Sequence, residues 1–261
     1  VRVEENERNV SVLSLDQSYK GVYFVLAING GRELALQDQS GISAYDRLGD
    51  VLIKWGKSLT SSEGDIRSFI TSEGILVRNS TIPDVWTDAL AGYQPDFRNM
   101  TPDLTSLESA IRLAKERVVP FGVDKSLLYL TPPPSPDQIA TINTLANDAR
   151  SAGIVVNVWM VGEHFYLSND QGGALMNLAD STKGQFFHYS DPEVVPNPDI
   201  YLSGLGSTYT LTYESEIRET GTYPLHVEIA DADAEARGES APFYVEVCPP
   251  NPILVSPPAT I

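Results

Sequence analysis

The sequence predicts an α/β fold, a doubly wound and mostly parallel sheet, joined to a small all-β, sandwich-like domain. Residues 22–28 form an unbroken apolar run, which is typical of a strand covered on both faces. Between residues 104 and 188, apolar strand-like runs alternate with helical patterns of 10–18 residues, as βαβ units do. After residue 190 the helical patterns give way to short strands of alternating hydrophobicity.

The predicted elements follow in order along the chain. Valines on either side of Asn6-Glu7-Arg8-Asn9 predict an N-terminal hairpin with a polar turn. Ser43, Pro83 and Ser135 stand where helices begin, and Gly153 stands where one ends. Helices are predicted at 43–59, 83–90, 104–118, 135–152 and 173–181. Strands are predicted at 22–28, 66–70, 75–77, 126–130, 154–161, 185–188, 209–213, 223–229 and 243–247.

These elements divide the chain into five parts. Residues 1–18 are the hairpin, expected to pack with the C-terminal β domain or, alternatively, against an edge of the α/β sheet. Residues 19–190 are the α/β domain, and 191–206, with three prolines, are expected to be a linker. Residues 207–250 are the sandwich-like domain, and 251–261 are expected to be a Pro-rich linker to a further segment. Three short C-terminal strands are too few for a stable sandwich alone, which favours their pairing with the hairpin.

The charge balance narrows the choice of partners. Thirty-five Asp and Glu residues against 18 Lys and Arg give a net charge of −17 and a pI near 4.4. Such a surface repels nucleic acid and anionic lipid, whereas it suits cations, basic protein patches or simple solubility. No apolar run of about 18 residues appears, so we expect membrane attachment only through segments outside this chain. The first and last residues resemble the interior of a longer protein.

The sequence offers no constellation typical of an enzyme or a cofactor site. It lacks a nucleophile elbow, a P-loop and a dinucleotide-binding glycine motif. His164, His188 and His226 fall on separate elements, so a zinc site is not expected. The alternating carboxylates of residues 231–235 lack the glycine and the last glutamate of a calcium loop and indicate a solvated turn. Cys248, the one cysteine, is expected to be an inert thiol.

Residues 20–190 resemble the von Willebrand factor A domain family through five segments in the expected order. The family has a strand ending in Asp-x-Ser-x-Ser, a threonine before a helix, a strand ending in Leu-Thr-Asp-Gly, a glycine–strand–glycine segment and a Leu-x-x-Leu-Ala…Gly-x-Phe-Phe ending. Here the matching segments are 26–31, 105–110, 130–133, 153–162 and 175–187. The β segments on both sides also resemble bacterial surface proteins that carry such a domain. The resemblance therefore implies a binding domain of an extracytoplasmic protein.

The resemblance also implies a place for function, the metal-ion-dependent adhesion site at the carboxyl ends of the strands. The family's two aspartates correspond to Ala27 and Pro132, and its serines to Asn29 and Gly31; only Thr105 is retained. Without carboxylates, this site is expected not to bind Mg²⁺. We take the following residues as candidate ligand-binding residues of the altered face: Asn29, Gly31, Asp103, Thr105, Thr131 and Glu163. Asn29, Asp103, Thr105 and Thr131 could instead form a substitute metal cluster, or serve only to cap helices and close turns.

Taken together, the sequence predicts a non-catalytic, metal-independent protein-interaction or adhesion domain. We expect the protein to lie outside the cytoplasm, at the cell surface or anchored to the membrane through a segment outside this chain. No cofactor is expected, and the protein partner is not identified by the sequence. One alternative is a structural subunit of a larger membrane-associated or filamentous assembly. Another is metal-dependent ligand binding through a rebuilt site.

Overall fold

A computed structural model describes residues 1–59, 64–120, 122–190, 194–202, 205–231 and 234–248. The expected linker 251–261 and residues 232–233 of the predicted acidic turn lie outside these ranges. The chain divides into two compact units. The larger unit comprises residues 19–208, and the smaller unit joins residues 1–18 to the chain after residue 208.

Fourteen strands and six α-helices form the described structure. The strands are β1 (Arg2–Glu5), β2 (Arg8–Val10), β3 (Val12–Tyr19), β4 (Val22–Ile28), β5 (Ile66–Thr71), β6 (Gly74–Ser80), β7 (Asp124–Thr131), β8 (Ile154–Val161), β9 (Phe186–Tyr189), β10 (Ser207–Tyr213), β11 (Gly221–Tyr223), β12 (Leu225–Asp231), β13 (Ala234–Glu239) and β14 (Phe243–Val245). The helices are α1 (Ala44–Ser58), α2 (Pro83–Gly92), α3 (Thr105–Glu116), α4 (Ile139–Ser151), α5 (Asp170–Ser181) and α6 (Asp199–Leu202).

The larger unit is built on a six-stranded sheet in the order β6-β5-β4-β7-β8-β9. All neighbours are parallel except the edge pair β5 and β6. The chain moves from β4 toward one edge and then returns past it to β7, so the direction of winding reverses between these two strands. Ligands of doubly wound sheets bind beside such a reversal, at the carboxyl ends of the strands. The architecture confirms the predicted α/β class.

Helices cover both faces of this sheet, and the unbroken apolar run of β4 follows from that. Tyr23, Val25 and Ala27 contribute to the core shared with α3, α4 and α5. The alternate residues of β4 contribute to the core shared with α1 and α2. Because successive side chains of a strand point to opposite faces, a strand between two helical layers is apolar at every position.

The segment 191–206, expected as a linker, instead contributes in part to the larger unit. Tyr201 of α6 is buried, and its hydroxyl accepts a hydrogen bond of 2.9 Å from the indole nitrogen of Trp159. Asp199 accepts a hydrogen bond of 2.6 Å from the indole nitrogen of Trp55. A prolyl-rich composition suggested a spacer, but these two indoles hold the segment against the α1 layer.

The smaller unit contains an antiparallel sheet in the order β13-β12-β1-β2. Asn6 and Glu7 connect β1 to β2 with φ values of 49° and 61°, which is the backbone of a type I′ hairpin turn. β1 pairs with β12 from Arg2 opposite Glu228 to Glu5 opposite Leu225. Three strands are additional to the prediction. β13 pairs with β12, and β3 pairs with β10. The predicted strand 223–229 is divided between β11, which pairs with β14, and β12.

A buried carboxylate organises this smaller unit. Glu5 is 3% exposed, and its oxygens accept hydrogen bonds from the Tyr213 hydroxyl at 2.9 Å and the Ser215 hydroxyl at 2.8 Å. The backbone N–H of Glu216 donates a third, at 3.2 Å. Burial and the adjacent Glu5 raise the pKa of Tyr213 to about 12, so its hydroxyl remains a donor at neutral pH.

Candidate functional site

Asn29 lies at the centre of a hydrogen-bonded network beyond the carboxyl ends of β4 and β7. Its side chain is buried, and its amide nitrogen donates to the Thr131 hydroxyl at 3.1 Å. Its amide oxygen accepts from the backbone N–H of Asp103 at 3.1 Å. One side chain thus joins the ends of two parallel strands to the segment that precedes α3.

The network continues to the start of α3. Asp103 accepts a hydrogen bond of 2.9 Å from the backbone N–H of Thr105 through its carboxylate, which satisfies a donor at the helix N-terminus. The Thr131 hydroxyl donates to the carbonyl of Pro132 at 2.8 Å. Asn29, Asp103, Thr105 and Thr131 are therefore brought together, as their shared position at the sheet edge predicts.

The glycines after Asn29 are in contact with apolar side chains. A Cβ atom added at Gly31 would lie 2.6 Å from Cγ of Pro132 and 2.8 Å from Cγ of Pro102. A Cβ at Gly30 would lie 2.5 Å from Cε of Met100. All three distances are shorter than van der Waals contact. The proline rings are rigid, so a larger residue at Gly31 would have to displace them, whereas the flexible end of Met100 could move away from one at Gly30. The turn is covered by packed apolar groups.

Two more hydroxyls lie beneath this turn. Tyr129 and Ser106 are fully buried, and neither hydroxyl makes a well-formed hydrogen bond to a described residue, although Asn29, Thr131 and Ser106 surround the phenol. Burial raises the pKa of Tyr129 well above its ordinary value, because the charged form loses its hydration. The phenol is neutral at physiological pH and supplies no anionic ligand.

The oxygen atoms of this network do not fit a divalent metal ion. The side-chain oxygens of Asn29 and Thr131 and one carboxylate oxygen of Asp103 are already engaged with protein donors or acceptors. Asp103 contributes the network's one carboxylate, whereas Mg²⁺ and Ca²⁺ need several hard oxygens with enough negative charge to offset dehydration. Within the described parts of the chain, no three His, Cys, Asp or Glu side chains come together as a metal site.

Glu163, the remaining candidate residue, lines a separate cleft that we name the carboxyl-edge cleft. It has a volume of about 420 Å³ and is formed by the chain after β4, the start of α1 and the ends of β8 and β9. Its lining residues are Arg32, Glu33, Leu36, Gln37, Asp38, Ile42, Ala44, Val161, Gly162, Glu163, Tyr166, Tyr189 and Ser190. The sequence signal for this cleft was limited to Glu163, which directly follows a buried strand.

The three histidines and the cysteine lie outside the network around Asn29 and outside the lining of the cleft. The rings of His164 and His188 are 4.9 Å apart, so these two histidines meet although the sequence placed them on separate elements. His188 also contacts the carbonyl oxygen of Gly162 at 2.8 Å through Nε2. His226 belongs to the smaller unit, where it faces Glu239 at 3.9 Å. Cys248 is exposed.

Comparison with known proteins locates the fold. No protein-family model and no curated protein matches the chain. Among solved structures, the SpRpn10 VWA domain matches 71% of this chain and 93% of its own, at 12% identity and a TM-score of 0.50. An aerotolerance-related membrane protein from Bacteroides fragilis matches 66% and 92%, at 16% identity and a TM-score of 0.47. Manganese-loaded TRAP protein of Plasmodium vivax matches 92% and 100%, at 12% identity and a TM-score of 0.48.

The sheet order, the two helical layers and the match to the SpRpn10 domain agree with the resemblance found in the sequence. At these identities the comparison shows the fold alone. The α/β unit of this chain has the fold of a von Willebrand factor A domain.

Proposed function

We propose that this chain is a non-catalytic protein-interaction module of an extracytoplasmic protein, and that it binds its partner without a metal ion. The observation that carries the proposal is the covered turn after β4. Pro132 occupies the space beside Gly31, and the polar groups around Asn29 bond to one another. A ligand that approached this place would meet packed apolar atoms rather than an open coordination position.

The physical argument concerns charge. A divalent ion loses much of its hydration on binding, and carboxylates normally offset this loss. Ala27 is fully buried on β4, and Pro132 stands at the end of β7, so neither position offers an oxygen-bearing side chain. The fold is therefore available as a binding scaffold, while ion-mediated binding is disfavoured at this edge.

The extracytoplasmic location rests on the resemblance of the domain order to bacterial surface proteins. Of the helices that the structure describes, none has the length and hydropathy needed to cross a bilayer. A net charge of −17 favours a basic protein surface as partner over nucleic acid or anionic lipid.

The edge strand β6 favours the alternative of a subunit in a larger assembly. Ile75 and Leu76 on this strand are 38% and 46% exposed, and Ile82 and Val85 at the start of α2 are also exposed. An exposed apolar edge strand is a place where another chain can add a strand. Sedimentation velocity of the protein in a native extract of its source distinguishes the two functions, because a subunit of an assembly would not be found there as a free monomer.

Isothermal titration calorimetry with Mg²⁺, Mn²⁺ and Ca²⁺ tests the absence of a metal site. We expect no saturable heat up to millimolar ion, and no change in the thermal midpoint on adding EDTA. A saturable one-site heat that disappears in Asp103→Asn would contradict the proposal. As the matched control, Asp148→Asn removes an exposed carboxylate of α4 and should leave either result unchanged.

A second measurement addresses binding. The immobilised full chain should retain a stoichiometric protein partner from cell-surface extracts of its source in the presence of EDTA. Release of that partner by EDTA, with recovery on adding Mg²⁺, would show that binding depends on metal.

A further inference from the structure

We propose that the carboxyl-edge cleft binds an extended peptide segment in which one Arg or Lys side chain stands between apolar residues. This inference rests on the proposed interaction function and names the surface and the partner chemistry. The cleft's volume of about 420 Å³ lies in the range of sites that hold small ligands, about 300–1,000 Å³. Such a volume accommodates one long side chain and parts of its neighbours.

The wall made by residues 36–44 is held in place before any ligand arrives. Asp38 accepts hydrogen bonds from the backbone N–H groups of Ser40 at 2.7 Å and Ile42 at 3.0 Å. Arg47 of α1 donates to the same carboxylate at 2.9 Å through Nε. The backbone of Gln37 also forms a bridge with Ser43. A wall already fixed by its own hydrogen bonds loses little conformational entropy when a peptide binds.

The cleft offers apolar contacts along this wall. Leu36 is 60% exposed and Ile42 is 37% exposed, although both belong to an ordered, hydrogen-bonded loop. Val161 and Tyr166 also line the cleft. Burial of exposed apolar side chains is the main favourable contribution to association, so the cleft suits a partner with its own apolar residues.

The charge of the lining selects a cation. Glu33, Asp38 and Glu163 line the cleft with one guanidinium, that of Arg32. Arg47 already pairs with Asp38, which leaves the carboxylates of Glu33 and Glu163 to determine the potential. Because Arg32 in turn pairs with Glu33, the lining keeps an excess of one carboxylate, that of Glu163, which repels phosphate and carboxylate ligands and attracts a guanidinium or an ammonium group.

Glu33 contributes to the cleft mainly through its ion pair with Arg32. One of its oxygens, Oε1, accepts from Arg32 at 3.2 Å, whereas Oε2 is buried and has no hydrogen-bond partner among the described residues. Oε2 lies 3.3 Å from the place where a Cβ atom on Gly31 would stand, so it faces the covered turn and is not accessible to a ligand in the cleft. The side chain of Arg32 is 80% exposed, so its surface ion pair is weak and open to exchange with a ligand cation.

Amide-resolved NMR titration of the full chain tests the proposal. The probe is the N-acetylated, C-amidated tripeptide leucine–arginine–leucine, and its matched control carries citrulline, a neutral isostere, in place of arginine. We expect saturable shifts centred on the amides of Ile42, Gly162 and Glu163, and affinity about tenfold weaker for the citrulline peptide.

Two variants and their controls complete the test. Glu163→Gln should weaken the arginine peptide several-fold and leave the citrulline peptide unchanged, whereas Ile42→Ser should weaken both. Glu116→Gln and Val118→Ser, exposed substitutions outside the cleft, should alter neither affinity. The spectra themselves report whether each variant is folded.

The outcomes separate this inference from the proposed function. Equal affinity for the two peptides, shifts centred elsewhere, or no shift at millimolar peptide would overturn the cleft proposal and leave a metal-independent module with another binding surface. Retention of the protein partner only in the presence of a divalent ion would overturn the proposed function, whichever peptide result is obtained.

Discussion

Two neighbouring places at the carboxyl edge of one sheet have opposite characters. The turn after β4 is covered: prolines and a methionine pack on its glycines, and Asn29 bonds to both adjacent segments. The carboxyl-edge cleft, a few residues further along the chain, is open, with apolar walls and carboxylates at its surface. The first place has the geometry of a core, and the second has the geometry of a binding surface.

The difference shows that sheet topology determines the edge at which ligands can bind, but not which part of that edge is a binding site. Both places lie at the carboxyl ends of the strands, the edge at which ligands of doubly wound sheets bind. The side chains at this edge then determine which part of it is open to a ligand. Here Pro132 fills the part next to Gly31, while Gly162 and the loop around Asp38 leave the adjacent part accessible.

The largest effect is expected from Gly31→Val, which breaks the packing of the covered turn. The added side chain would overlap Pro132 and Pro102, and we expect the free energy of unfolding to fall by about 3 kcal/mol. Urea denaturation measures it. The loss should shrink when Pro132→Ala is added, because the two residues are in contact. Equal losses with and without Pro132→Ala would mean that the turn is not packed as described.

A matched control is available in α5. A Cβ at Gly173 would meet no atom within 4 Å, and the residue is helical. Gly173→Ala should therefore raise the free energy of unfolding, by about 0.5–1 kcal/mol.

An intermediate effect is expected from Asn29→Ala. The change removes both hydrogen bonds of the buried amide and leaves the N–H of Asp103 and the hydroxyl of Thr131 without this partner. We expect a loss of about 2 kcal/mol in the free energy of unfolding. Asn177→Ala, which removes an exposed Asn–Asn hydrogen bond between α5 and α4, is the control and should change stability little. Similar losses in the two variants would contradict a central role for Asn29.

The smallest effect is expected from Asp38→Asn, which addresses the open cleft. Its hydrogen bonds with Arg47 and with the backbone of Ile42 hold the pKa of Asp38 below the ordinary value of 3.8. A lowered pKa means that the ionised form stabilises the fold above pH 3.8 and that this contribution is lost as the pH falls through the folded value. Wild type should therefore be more stable than Asp38→Asn at neutral pH.

The pH dependence supplies the check on that prediction. The difference between the two urea midpoints should be constant near neutrality and should decrease once the pH falls below about 4. A difference that persists unchanged into strong acid would mean that the charge of Asp38 does not support the loop.

Much of the α/β unit follows from local sequence pattern. The predicted strand 154–161 coincides with β8, and Ser43 caps α1 by accepting from the backbone N–H of Asp46 at 3.0 Å. The helix predicted at 173–181 begins three residues earlier in the structure, because α5 starts at Asp170. The side chain of Asn169 accepts hydrogen bonds from two N–H groups there and makes the early start possible.

The features that local pattern did not predict depend on distant partners. Tyr201 contacts Trp159, 42 residues away in the sequence, and no periodicity in the proline-rich segment predicts this contact. β13, in the sequence Ala-Glu-Ala-Arg-Gly-Glu, lies at a sheet edge and alternates small with charged residues, but it has none of the large apolar or β-branched side chains that indicate a strand. The cleft is assembled from several loops, so of its lining residues only Glu163 was a candidate from the sequence.

The contact between Gly31 and Pro132 also limits which substitutions this turn can accept during evolution. A serine at position 31 overlaps Pro132 while that proline is present, and an aspartate at the buried position of Ala27 has no cation to pair with until other ligands exist. Each of these two steps toward a metal site is therefore destabilising by itself. A coordination site at this turn would therefore need several replacements together, because neither of these two is favourable alone.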